Sequence, residues 1–119
     1  MSVTPMDLVA EAKQKIREIS VVTAHSKLTD NPILDVREPA EFSAGHLPGA
    51  VNIPRGVLEF KIGSDPTLQN QQDKEIIVYC QTGGRSALAT EALHKIGYSN
   101  AVSMAGGYKD WVEKGYEVV

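Results

Sequence analysis

The one cysteine of this chain, Cys80, is preceded by the apolar run Ile76-Ile77-Val78-Tyr79 and followed by Gln81-Thr82-Gly83-Gly84-Arg85-Ser86. With no second cysteine it can neither close an internal disulfide nor share a zinc ion with other thiolates, so its role is thiol chemistry or packing. A lone cysteine that ends a buried strand is commonly a small core residue. The residues after it, however, have no packing rationale. Glycines at 83 and 84 let successive N–H groups converge into an anion-holding nest, and a helix opening behind them adds its positive dipole end. Such surroundings bring a thiol from about 8.5 into the range of about 3.5 to 7.5. Cys80 is therefore expected to be largely ionised at neutral pH, a nucleophile with donors already aimed at the charge that group transfer develops. Arg85 closes the loop with a fixed positive charge, and its forked donors suit a planar oxyanion better than a lysine would.

The elements that must position this loop follow from periodicity. Ile76 to Cys80 and Ile33-Leu34-Asp35-Val36 are mostly apolar runs without alternation, as expected of strands covered on both faces of a parallel sheet, and Ala101-Val102-Ser103-Met104 is a weaker third. Helical patterns lie between them, at Pro39 to Ala44, Gly56 to Lys61, Arg85 to Ile96 and Gly107 to Lys114. In the Arg85 to Ile96 segment, Leu88, Ala92 and Ile96 mark one face and Gly97 stands where a helix-ending glycine belongs. Strands alternating with helices predict an α/β fold, a three-layer α/β/α sandwich with a central, mainly parallel sheet. Ligands of such sheets bind at the carboxyl ends of the strands, which is where Cys80 falls.

At the N-terminus, Thr4-Pro5-Met6-Asp7 carries a capping hydroxyl, a proline at the first helical position and an acid three residues after the cap, so a helix is expected over about 5–18. Ile19 to Val22 is short and β-branched, and Thr23 is read as the cap of a small second helix. The 119 residues predict a single domain spanning 1–119, with that first helix preceding the core. Hydrophobic residues at 42% and charged residues at 23% are an ordinary globular mix. Lys plus Arg number 12 against 15 Asp plus Glu, a net charge of −3 with the basic residues scattered, so no nucleic-acid partner is expected. The apolar runs fall far short of the about 20 residues that span a bilayer, so no membrane association is expected. The N-terminal residues lack the basic flank and apolar stretch of a secretory signal, and a cytoplasmic protein is expected.

Asp35 and Arg37 follow a strand and are read as supporting groups that bond loop backbone and each other. Glu41 is read as a partner of Arg37 across the short helix. His46, in Gly45-His46-Leu47-Pro48-Gly49, is read as fixing a turn through a side-chain bond. His25 and His94 are read as solvent-facing, and no cluster of His, Asp and Glu has metal-ligand spacing, so no metal is expected. Trp111 is expected to pack the last helix on the sheet.

A cysteine with four residues between it and an arginine, directly after a strand, resembles the active-site loop of rhodanese-type sulfurtransferases. Leu34-Asp35-Val36-Arg37-Glu38-Pro39-Ala40-Glu41-Phe42 resembles that family's first signature, and Gly45-His46-Leu47-Pro48-Gly49-Ala50-Val51-Asn52-Ile53-Pro54 the segment that follows it. Ala105-Gly106-Gly107-Tyr108-Lys109-Asp110-Trp111 resembles its C-terminal signature, with Ala105 standing before the glycines. The resemblance covers the chain from about Ile19 onward. It implies a rhodanese-like fold and a Cys80 that takes the outer sulfur of a small donor such as thiosulfate and passes it, as a persulfide, to a thiol or cyanide. The residues Gln81, Thr82, Gly83, Gly84, Arg85 and Ser86 would bind the substrate, with Arg85 on its anionic end, and no cofactor would be needed. A thiol protein is an alternative partner, which would make the chain a persulfide-carrying or binding module. Phosphatases and arsenate reductases of this fold carry one residue more between cysteine and arginine, which disfavours that chemistry here. Many family loops place a basic residue directly after the cysteine, where this sequence has Gln81, a departure that bears on donor preference. Arg55 and Lys61 are placed at the pocket rim by similarity alone.

Overall fold

The computed structural model describes residues 2–119. Its centre is a parallel five-stranded sheet in the order β1-β5-β4-β2-β3, formed by β1 (Glu18–Ile19), β2 (Ile33–Asp35), β3 (Val51–Asn52), β4 (Ile77–Tyr79) and β5 (Val102–Met104). Six α-helices, α1 (Pro5–Lys15), α2 (Val21–Ser26), α3 (Pro39–Ala44), α4 (Leu58–Lys61), α5 (Gly84–Lys95) and α6 (Gly107–Glu113), complete the described residues together with short 3-10 turns. This is the α/β/α arrangement expected from the alternation of strands and helices. Strand side chains alternate between its faces. Ile76, Val78 and Cys80 join Leu58, Ala89 and Leu93 of α4 and α5, while Ile77, Tyr79, Val102 and Met104 join Val21 and Ala24 of α2 and Trp111 of α6. Trp111 is fully buried and donates its Nε1–H to the Glu117 carbonyl. No helix among the described residues is long and apolar enough to cross a membrane.

Several boundaries differ from the expectation, each for a tertiary reason. The first helix has the capping box read from Thr4 and Asp7, but it ends at Lys15 rather than near 18. Glu18 and Ile19 are instead drawn into the sheet edge as β1, opposite Ser103 and Met104. Ser20, not Thr23, caps α2, its hydroxyl accepting the Thr23 N–H at 3.1 Å. The segment 56–61 divides into a 3-10 turn at Arg55–Val57 and the one-turn α4. The apolar stripe of α5 faces α1 and solvent rather than forming its most buried side. Leu88 packs with Val9 and Ala12 of α1, Ile96 is 44% exposed, and the buried side is made by Ser86, Ala89, Thr90 and Leu93. Helix α5 is thus clasped between the sheet and α1. Its end matches the reading, since Gly97 N–H bonds the His94 carbonyl and Tyr98 N–H the Leu93 carbonyl.

Candidate active site

The alternation of β4 turns Cys80 toward α5, whose first turn begins immediately after the loop. Gly83 precedes that helix with φ +112°, a left-handed conformation that side chains resist. It brings its own N–H to within 3.1 Å of Cys80 Sγ, while the Ser86 N–H reaches the same sulfur at 3.3 Å. Gly83 has no side chain to cap α5, and the sulfur occupies the role that a capping oxygen plays in other helices. Cys80 is 1% exposed, and the Ser86 hydroxyl lies 3.6 Å from Sγ.

The other side of the loop is held by α6. Tyr108 N–H donates to the Cys80 carbonyl at 2.9 Å, and Lys109 N–H to the Gln81 carbonyl at 3.0 Å. These amides are orphans of a helix start, spent here on fixing the peptides that follow the nucleophile. The sequence pattern starts a helix at Gly107 but does not reveal this contact. The signal was a glycine pair at a helix start that no turn requirement explained.

Asp35 and Arg37 form a buried brace beneath the loop. Asp35 accepts the Arg37 main-chain N–H at 2.8 Å and the guanidinium at 2.7 Å, and the same guanidinium bonds the Gly45 carbonyl at 2.7 Å and Gln81 Oε1 at 3.4 Å. It also lies over the Tyr108 ring, 4.3 Å from its centroid. Burial opposes the charge on Arg37, but hydrogen bonding and attraction from Asp35 outweigh it and hold the pKa raised. The Tyr79 hydroxyl, raised by burial and then by the Asp35 charge, stays protonated and accepts the Leu47 N–H at 3.1 Å.

Glu41 does not pair with Arg37. Its carboxylate takes Arg85 in a two-toothed pair at 2.8 and 3.0 Å, because α3 faces the start of α5 across the site while Arg37 is already consumed below it. The loop guanidinium is therefore charge-balanced. Hydrogen bonding from Arg85, helped by the Glu38 N–H and opposed by burial, draws the Glu41 carboxyl from 4.5 down to about 2. A depressed carboxylate stabilises the fold above its unfolded pKa and loses that contribution as pH falls toward its folded one. Glu41→Gln should accordingly flatten the acid limb of stability between pH 4.5 and about 2, as read by thermal melts at stepped pH. The effect should be small and shrink with salt, since the two side chains are 39% and 35% exposed.

The remaining polar residues lie apart from the sulfur. His46 Nδ1 is 2.9 Å from the Phe42 carbonyl, a turn-fixing bond of the kind expected. His94 is not solvent-facing, its Nε2 lying 2.8 Å from the Ala101 carbonyl. His25 is exposed yet stacks on Tyr116 at 3.9 Å between centroids. Arg55 bonds Glu59 at 3.1 Å rather than a loop residue.

The chain is similar in sequence and fold to known proteins. The model of the rhodanese-like domain matches residues 9–114. The Arabidopsis thaliana protein thiosulfate sulfurtransferase 16, chloroplastic, is 39% identical over 114 residues, which cover 89% of this chain and 95% of that one. The human thiosulfate:glutathione sulfurtransferase is 34% identical over 91 residues, 69% of this chain and 79% of that one. A solved structure from Rhodopseudomonas palustris, described as a protein of unknown function and possible tyrosine phosphatase, superposes with a TM-score of 0.88 at 29% identity, covering 100% of this chain and 96% of its own. A thiol seated between a parallel sheet and the start of a helix, and relatives of this closeness, lead to one conclusion: the chain belongs to the rhodanese-like domain family and to its sulfurtransferase class.

Proposed function

We propose that this chain moves sulfane sulfur from a donor such as thiosulfate to a thiol or cyanide through a persulfide on Cys80. The observation that carries the reading is the Cys80 sulfur held by the Gly83 and Ser86 N–H groups at the start of α5. The Cys80 thiolate attacks the outer sulfur of thiosulfate, a new S–S bond forms, the donor's S–S bond breaks, and sulfite leaves with the electron pair. The acceptor then attacks the outer sulfur of the persulfide and regenerates the thiolate. Backbone donors from Gln81, Thr82, Gly83, Gly84 and Ser86 line the path of the donor, with Asp35 and Arg37 bracing them from below. The persulfide carries the reacting atom about 2 Å beyond the recessed Sγ. A reducing compartment suits a thiol that must return to its free form in each cycle, and the cytoplasm is the location this reading proposes.

Intact-protein mass spectrometry before and after thiosulfate, followed by a cyanide or thiol chase, tests the proposal. A gain of about 32 Da on Cys80 that the chase removes is expected for a single persulfide sulfur. No adduct from thiosulfate or from a low-molecular-weight persulfide would overturn it. Arg85 is proposed to hold the donor's anionic end, so Arg85→Ala should raise KM for thiosulfate by about tenfold, the worth of one charge-assisted hydrogen bond.

A second reading has its own support. With the Arg85 charge balanced by Glu41, the site mouth is less cationic than the sequence suggested, which favours a protein-borne persulfide over a free dianion. In that case the chain acts as a persulfide-carrying module, loading from a partner faster than from thiosulfate. Phosphate-ester hydrolysis is disfavoured, because only Gln81 to Gly84 separate the cysteine from the arginine and the cradle is narrow.

A further inference from the structure

Behind Cys80 lies a pair of hydroxyls that the sulfur-transfer scheme leaves without a task. Ser86 on α5 and Ser103 on β5 are both fully buried, and their Oγ atoms are 2.8 Å apart. Ser103 stands in register with Val78, so its side chain leaves the sheet toward α5. A buried hydroxyl without a partner costs about 1–3 kcal/mol. Ser86 does not need Ser103 to avoid that cost, because the Gly83 carbonyl is 3.2 Å from its Oγ. An alanine at 103 would leave no buried group orphaned, so polar satisfaction does not explain a serine there.

Counting hydrogens does. The Ser86 hydroxyl has one hydrogen and three neighbours, the Gly83 carbonyl, Ser103 Oγ and Cys80 Sγ. While the sulfur is a thiol, its S–H donates to Ser86 Oγ. Once that proton has left to solvent the sulfur only accepts, and the Ser86 O–H is the side-chain donor within reach that can turn toward it. Ser86 Oγ is then left as an acceptor, and Ser103 is the neighbour with a hydrogen to give.

We infer that Ser103 is a positioning residue for Cys80: by donating to Ser86 Oγ it aims and polarises the Ser86 O–H toward the sulfur anion. The inference rests on Cys80 being the working thiol. Hydrogen bonds in such a chain reinforce one another. The charged groups around the loop are Arg85 with Glu41 from α3, and Arg37 with Asp35 at the end of β2. Tyr79 and Tyr108 lie on that side, Lys109 and Asp110 belong to α6 against the loop, and Glu18 of β1, paired with Lys13, stands in register with Ser103. None of them bonds Ser103, so substituting it leaves those pairs in place.

The test reads Cys80 without requiring sulfur transfer. Alkylation by neutral iodoacetamide is followed from about pH 5 to about pH 10, a range that brackets an ordinary thiol, in the full chain and its variants. Ser103→Ala should raise the midpoint and slow alkylation below it by about threefold, the share of one reinforcing bond. Ser103→Thr, which keeps the hydroxyl, should restore the original profile. In a Ser86→Ala background, Ser103→Ala should change nothing further, because the effect passes through Ser86. An unmoved midpoint in folded Ser103→Ala, or a shift that persists without the Ser86 hydroxyl, would overturn the inference. Should Ser103→Ala fail to fold, Ser103→Val, which matches Ser103→Thr in shape but lacks the hydroxyl, is compared with Ser103→Thr and judged by the same two outcomes. Sulfur loading is measured in parallel. A profile that responds to Ser103 in a chain taking up no sulfur would sink the sulfurtransferase reading and leave the positioning role standing.

Discussion

Cys80→Ser should abolish the sulfur adduct and all transfer to cyanide or a thiol while leaving the chain folded. The loss is expected to be complete because an un-ionised hydroxyl is a poor nucleophile for sulfur and the sequence holds no second thiol to substitute for it. Folding should survive for a reason particular to this site. The Gly83 and Ser86 N–H groups that now point at Sγ would find a serine oxygen instead, and serine is among the preferred capping residues of helix starts. The cost of exchanging a buried thiol for a hydrogen-bonded hydroxyl should be about 1 kcal/mol. A melting curve close to the parent's, together with no mass gain from any sulfur donor, is the expected pair of results. Substantial transfer by the folded variant would remove Cys80 from the mechanism.

Gly107→Ala should damage the loop from its far side. A Cβ built at Gly107 meets the Cys80 and Gln81 carbonyl oxygens at 2.6 Å, and the residue has φ +61°. The left-handed conformation alone costs a side chain about 1–2 kcal/mol. The overlap adds to it, because the obstructing atoms are main chain and cannot rotate aside. To admit the methyl, α6 must move away from the loop and stretch the bonds from the Tyr108 and Lys109 N–H groups. A displacement near 1 Å at positioned groups is worth about 100-fold in rate, and sulfur loading per folded molecule should fall on that scale. Gly97→Ala is the control. Its φ of +103° carries similar strain, but no atom lies within 4 Å of the added methyl, so it should lose stability without losing loading per folded molecule. Equal loading in the two variants would show that α6 does not position the loop.

The parts of this protein legible in the chain are those set by neighbours in sequence. The strand at 77–79, the glycine-bearing loop and the helix behind it are one continuous segment, so apolar run, backbone freedom and helix start together placed Cys80 at the end of a buried strand. The capping box at Thr4 and the helix-ending Gly97 are equally local, each satisfied by bonds spanning a few residues. What periodicity could not do was rank two apolar faces. Helix α5 has one toward α1 and one toward the sheet, and only packing tells which stripe is the core side. Nor could spacing choose between Arg37 and Arg85 as the partner of Glu41. That choice depends on α3 lying across the site from α5, the paired groups being 44 positions apart in the chain. The same holds for β1, a two-residue strand recognisable only against β5, for the α6 amides beneath Cys80, and for Ser103 behind Ser86. Local conformation follows from the covalent chain and its hydrogen-bonding side chains. The contact of Arg37 with Gln81, the charge balance and the second hydroxyl exist only because the strand order β1-β5-β4-β2-β3 closes distant segments onto one sulfur.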